Sequence, residues 1–199
     1  MTGTRPLRAD AARNRELLLT AAATEFAERG LDASVADIAR RAGVGKGTVF
    51  RHFPTKEDLI AAIVRDRIAA LTGVGEELLR AADAGAALLA FLTAAAHQRQ
   101  QLDLSYLQTA TTLPADVEAL RERMFRVIHD LVDRARAHGA IRDDVTGADV
   151  ALLMCAPNYV TGYLSDAPPD LWQRYLALIF DGLRPEGAHP LPHPPPTLV

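Results

Sequence analysis

Apolar residues recur through this chain at spacings of three and four, the period of a helix with one buried face. Leu18, Leu19, Ala22 and Phe26 form such a stripe, which predicts a first helix over about 11–29, stopped by Gly30. Val35, Ile38, Ala39 and Ala42 form a second, shorter one. Past Phe53-Pro54 a long helix is expected through Leu59, Ile63, Ile68 and Leu71, ended or bent by Gly73 and Gly75. A short piece at 76–82 leads to a helix reaching about Arg99 with Leu88, Leu89, Phe91 and Leu92, and another short helix is expected at 102–111. Pro114 suits the first position of a long helix striped by Val117, Leu120, Met124, Val127, Ile128 and Leu131 and closed at Gly139. Thr146, with Asp149 three residues on, caps a helix expected over about 147–165, and a last one spans 171–183. No segment alternates as a strand would and no repeat is found, so the fold class is all-α.

One stretch organises the rest: Ser34 to Leu59, SVADIARRAGVGKGTVFRHFPTKEDL. Ser34 is a good N-cap, and Asp37 is expected to reach back to the cap's own amide. Gly43 supplies a left-handed stop, Val44 plugs the corner, and Gly45 caps a second helix over about 46–52. Two helices joined by so short a glycine turn make a helix-turn-helix, whose second helix lies in the DNA major groove. Thr55 with Asp58 repeats the capping pattern at the start of the next helix. Val35, Ile38, Ala39, Val44, Val49 and Phe53 are read as the small core of this head.

Charge sharpens that reading. The net charge of −3 taken alone speaks against nucleic acid, but its distribution does not. Residues 1–56 carry ten Lys and Arg against six Asp and Glu, a net +4; residues 57–199 carry twelve against nineteen, a net −7. A basic head on an acidic body is the footprint expected of a DNA-binding protein. The organisation read from the chain is a flexible basic arm at 1–10, the DNA-binding domain at 11–56, a helical body at 57–184, and a disordered tail over the proline-rich 185–199, PEGAHPLPHPPPTLV. Arg5 and Arg8 of the arm are candidates for a minor groove. No apolar run is long enough to span a bilayer and no secretory signal opens the chain, so no membrane role is expected. A single cysteine, Cys155, excludes an intrachain disulfide and suits the cytoplasm.

The run IARRAGVGKGTVFRHFPTKEDL resembles the DNA-binding signature of the TetR family of transcriptional repressors. It shows an Ile-Ala before an Ala-Gly-Val turn, a Gly-Thr opening the second helix, an aromatic near its end, then His-Phe and a Lys-Glu pair. With the preceding helix, the resemblance covers about 13–60. From position alone, Lys46 and Thr48 stand where base edges and phosphates are reached, Arg51 can meet a phosphate or a guanine edge, and Ser34 can offer its hydroxyl to a phosphate. The resemblance implies that Phe50 and His52 lie against the sugar-phosphate backbone and that Lys56 holds a phosphate. Two positions depart from the family: Gly45 where Ser is common, and Phe50 where Tyr is common. Both departures remove a hydroxyl from the DNA-facing list.

The body is expected to enclose a small molecule between amphipathic helices. Phe91, Leu92, Tyr106, Gln108, Met124, Phe125, His129, Met154, Asn158 and Tyr159 are the candidate lining, with Gln108, His129 and Asn158 as the polar groups that orient it. The resemblance places a homodimer interface on the final two helices, where Leu152, Leu153, Tyr163, Leu171, Trp172, Tyr175 and Ile179 are the candidates. A two-fold dimer would present two recognition helices to double-stranded DNA carrying a palindromic operator. No catalytic residue, metal site or cofactor is assigned, because the histidines lack compact ligand spacing and no phosphate loop or nucleophile motif occurs. The reading is a ligand-responsive repressor and not an enzyme. The alternatives are a helical small-molecule-binding or catalytic protein with a degenerate head, and a DNA-binding regulator without an effector.

Overall fold

The computed structural model describes residues 5–101, 114–161, 164, 166–186 and 188–196. Among them there are helices and no strand: α1 (Arg5–Arg29), a 3-10 turn (Gly30–Asp32), α2 (Val35–Arg41), α3 (Lys46–His52), α4 (Lys56–Leu78), α5 (Ala84–Gln101), α6 (Ala115–Ala137), α7 (Gly147–Leu153), α8 (Ala156–Thr161) and α9 (Leu171–Gly182). The all-α reading holds. No helix is long and apolar enough to cross a membrane among the described residues.

The chain divides into two compact units, Met1–Asp66 with Leu102–Val117, and Arg67–Gln101 with Glu118–Val199. The division falls inside α4, ten residues past the end of the head as the sequence analysis drew it at Lys56. In the first unit α1 packs on α2 and α2 on α3. Leu18, Ala22, Phe26, Ile38, Ala39, Val49 and Phe53 are buried there, while Val35 and Val44 are only half-buried. The first turns of α4 are held in the same unit by Arg15, which pairs with Asp66 at 3.4 Å and lies 5.8 Å over the Phe53 ring. Arg65 adds two hydrogen bonds to Asp116 Oδ2, at 2.9 and 2.6 Å.

Helix α1 begins at Arg5, not Ala11, so residues 5–10 of the expected arm are helical. Pro6 in the first turn lacks an amide hydrogen that no carbonyl would have met, and the alanines and arginines after it are strong helix formers.

The second unit is built round one apolar cluster. Leu71 of α4, Leu88, Phe91 and Leu92 of α5, Ile128, Leu131 and Val132 of α6, Ile141, Val150, and Trp172, Leu176 and Phe180 of α9 are all buried in it. Gly73 and Gly75 do not end α4, which runs on to Leu78. A Cβ on Gly75 would lie 2.4 Å from Val127 Cγ1 and 3.1 Å from Phe91 Cε2. Gly75 is thus where α5 and α6 side chains press onto the α4 backbone, a packing role that a one-dimensional pattern does not reveal. Arg134 then closes the helix end. Its guanidinium donates to the carbonyl of Leu78 (3.3 Å), which also accepts the Ala81 amide at 3.0 Å, and to those of Ala81 and Ala82 (3.4 Å) just past the helix.

The helix expected over 147–165 is two. Thr146 and Asp149 form the reciprocal capping box, but α7 stops at Leu153 and α8 starts at Ala156. Pro157 accounts for the break: it has no amide hydrogen for the carbonyl four residues back and its ring crowds that carbonyl, so it is accommodated only in a first helical turn. The start of the tail is also held. Arg142, only 12% exposed, grips Asp144 through two hydrogen bonds of 2.5 and 2.8 Å and donates to the His189 carbonyl. The Arg142 guanidinium keeps the Asp144 carboxyl below its ordinary range, aided by the Leu191 backbone.

Replacing Arg134 by Ala should lower stability by roughly 1–3 kcal/mol, the worth of charged hydrogen bonds to partly buried carbonyls. Denaturant melts of the two proteins check this, with Arg134→Lys expected to recover part of the loss.

Candidate nucleic-acid interface

The head starts from its caps. Ser34 Oγ accepts the Asp37 amide at 3.2 Å, the N-cap bond expected of it. Asp37 does not reach back to the Ser34 amide. Its carboxylate instead accepts the Ser34 hydroxyl at 2.6 Å and Arg40 at 2.6 Å, with Arg29 at 3.3 Å. The Ser34 hydroxyl, then Arg40, hold the Asp37 carboxyl below its ordinary range. The Ser34 hydroxyl proposed for phosphate is therefore already engaged within the head.

Behind α2 lies a buried carboxylate that the sequence reading missed. Glu25 is buried on α1, its Oε1 accepting from Arg41 Nε at 2.7 Å. Its Oε2 has Arg29 Nε as an ion-pair neighbour at 3.5 Å but forms no hydrogen bond. Arg41 reaches on to Glu28. This network fastens the end of α1 to α2. Its only sequence signal is that Glu25 directly precedes the stripe residue Phe26, which turns it partly inward.

Gly43 takes φ +69° at the turn, and the Val44 amide returns to the Ala39 carbonyl at 3.0 Å. Gly45 caps α3 in an extended conformation, and a Cβ there would meet nothing within 4 Å. Packing does not forbid a serine at 45, so the missing hydroxyl is not imposed by the fold. Along α3, Val49 is buried and Thr48 and His52 are half-buried, whereas Lys46, Gly47, Phe50 and Arg51 are exposed. Arg51 folds back on its own helix, Nε donating to the Gly47 carbonyl at 3.1 Å and a terminal nitrogen to Thr48 Oγ1 at 3.5 Å. Helix α4 begins with a complete capping box, since Asp58 accepts the Thr55 amide at 3.1 Å and Thr55 Oγ1 accepts the Asp58 amide at 3.1 Å. Lys56, expected to face a phosphate, turns inward: its ammonium donates to the Leu31 carbonyl and lies 5.6 Å over the Phe26 ring.

The residues assigned to the body separate into groups. Phe91 and Leu92 are fully buried in the main cluster, with Met124, Phe125 and Met154 packed partly buried against it. His129 is exposed, its ring pressed on Gly147, where a Cβ would lie 2.6 Å from Nδ1. It does not face inward as an orienting group must. Tyr159 is 69% exposed and likewise stands outside the body's interior, while Asn158 is half-buried on α8. Tyr106, Gln108 and Tyr163 lie outside the described residues.

On the interface list, Trp172 is buried beside His97, with ring centroids 6.3 Å apart. It shares the inward stripe of α9 with Leu176 and Phe180, so it is core and not surface. Leu153, Leu171, Tyr175 and Ile179 are half-buried and Leu152 is 55% exposed. Leu178, not among the candidates, is also 55% exposed and continues the helical spacing through Leu171 and Tyr175.

Residues 18–63 match the family described as bacterial regulatory proteins, tetR family, and residues 83–185 match the C-terminal domain described as transcriptional regulator SbtR-like. The HTH-type transcriptional repressor KstR2 of Mycolicibacterium smegmatis is 28% identical over 187 residues, which cover 86% of this chain and 91% of that protein. A TetR transcription regulatory protein from Mycobacterium vanbaalenii is similar in structure, with a TM-score of 0.64 and 34% identity over 90% of this chain and 99% of that one. A TetR transcriptional regulator from Streptomyces coelicolor gives a TM-score of 0.62 at 32% identity, covering 86% and 98%. With its helix-turn-helix intact and both parts of the chain matched, this protein belongs to the TetR family and is a DNA-binding transcriptional regulator.

Proposed function

We propose that the chain works in the cytoplasm as a homodimeric repressor that leaves a palindromic operator when a small molecule binds its body. The outward face of α3 supports the DNA half of this reading. It carries Lys46 and Arg51, two residues without a polar side chain, and no carboxylate. The name of the mycobacterial relative, a repressor, supports the sign of regulation. The effector is proposed to meet Met124, Phe125, Met154 and Asn158, which are partly covered and not sealed in the core. Dimerisation is proposed on α7, α8 and α9, where α8 packs against α7 and α9 and the apolar side chains of Leu152 and Leu178 remain exposed.

Gel shifts of the full-length chain against the DNA upstream of its own gene test the core of this reading. Binding that fails to appear, or that ignores salt, would sink it, since phosphate contacts release counterions. In the same assay Lys46→Ala should weaken selected and random DNA alike and reduce the log–log salt slope by about one. Lys56→Ala should act differently. Its ammonium holds the start of α4 to α1, so the melting temperature should fall while the salt slope barely changes. For the dimer, sedimentation of Leu178→Asp is expected to show monomer at concentrations where the parent chain sediments as dimer; an unchanged dimer would remove α9 from the interface.

A further inference from the structure

We infer that Phe50 is a specificity residue of the recognition helix, packing on the 5-methyl group of a thymine on the major-groove floor. This rests on the DNA-binding reading above and departs from the family expectation of a sugar-phosphate contact. At ~100° per residue, the covered residues Thr48, Val49 and His52 lie on one side of α3, and the opposite direction passes between Gly47 and Phe50. Lys46 and Arg51 stand on the two flanks. A helix laid in a groove ~12 Å wide turns its flanks toward the phosphate walls and its outermost line toward the base edges. Phe50 is the side chain on that line.

Its chemistry narrows the partner. The ring is 48% exposed and has no hydroxyl, so it offers a phosphate no hydrogen bond. The apolar group that base pairs present in the major groove is the thymine methyl. Arg51 does not compete for the floor, because its guanidinium is folded onto Gly47 and Thr48.

Gly47 is an independent observation pointing the same way. It lies within α3, its φ is not positive, and a Cβ there would meet nothing within 4 Å of the protein. Glycine is a poor helix former, so neither the local backbone nor the packing accounts for it. A position without a side chain beside Phe50 lets the helix backbone approach the base edges closely.

The test starts by selecting operator DNA from a random pool with the full-length chain. Each thymine of the selected site is then replaced singly by uracil, which removes only the methyl. One position per half-site should weaken the parent protein about fourfold, the worth of one buried methyl. Phe50→Ala should bind thymine and uracil equally at that position, whereas Phe50→Leu should still discriminate. Gly47→Ala should melt at a higher temperature yet bind the selected site at least tenfold more weakly. Indifference of the parent to every uracil replacement, or a preference that survives Phe50→Ala, overturns the inference. A pool that yields no enriched sequence overturns the DNA-binding reading as well.

Discussion

Helix α4 has to remain unbroken from Thr55 to the Arg134 clamp, and the rest of the structure depends on that. Its first turns belong to the unit that carries the recognition helix, and its last turns belong to the unit that carries the main core. A reciprocal cap at Thr55 and Asp58 closes one end, and at the other Arg134 bonds the Leu78 carbonyl and the Ala82 carbonyl just beyond it. Between them sit two glycines, which in an isolated peptide would cost ~1 kcal/mol each. Gly75 is held helical from outside, by Val127 and Phe91 pressed against it. At 1.5 Å per residue the helix is about 34 Å long, so a tilt of ~5° at one end moves the other by ~3 Å. The release proposed above would act through the α5 and α6 side chains packed on Gly75, the place where the second unit grips this helix.

Much of this architecture was legible from the sequence because it is set by local chemistry. Caps at Ser34, Thr55 and Thr146 and left-handed glycines at 30, 43 and 139 each declare themselves within four residues. The features that went unread depend on partners distant in the chain. Gly75 looked like a helix end because its reason, Phe91 and Val127, lies sixteen and fifty-two residues away. Trp172 looked like an interface anchor because size and aromaticity do not say which face of a helix a residue occupies; the register with Leu176 and Phe180 does. Pro157 is the exception, a local break set inside an apolar stripe that runs on either side of it.

Charge needed the same correction. A basic head suggested a surface given over to DNA, yet Arg15, Arg29, Arg40 and Arg41 are each paired with a carboxylate of their own unit. Much of the basic count therefore builds the head. Glu25 explains why such pairing is required: a carboxylate buried on α1 is tolerable only with a guanidinium against it, and Arg41 meets that need from α2. The pair consequently sets where α2, and hence the turn to α3, sits on α1.

Once those cations are set aside, the face left to DNA is sparse: Lys46 and Arg51 at its flanks, Phe50 and bare backbone between. Sparseness is itself informative. Serine at 45 and alanine at 47 would both fit sterically and both favour the helix, yet glycine occupies each position. A chain that forgoes local stability where its own packing asks for nothing is answering to something outside itself, because natural sequences break local rules chiefly at functional sites. On a surface that binds DNA, the contact inferred above for Phe50 supplies such a constraint at 47, where a bare backbone would let a duplex approach closely. With Phe50 at the crest of α3, such a helix would discriminate by shape and methyl contact more than by hydrogen bonds. The loss of two hydroxyls relative to the family is then consistent with a different mode of reading and does not require a degenerate head.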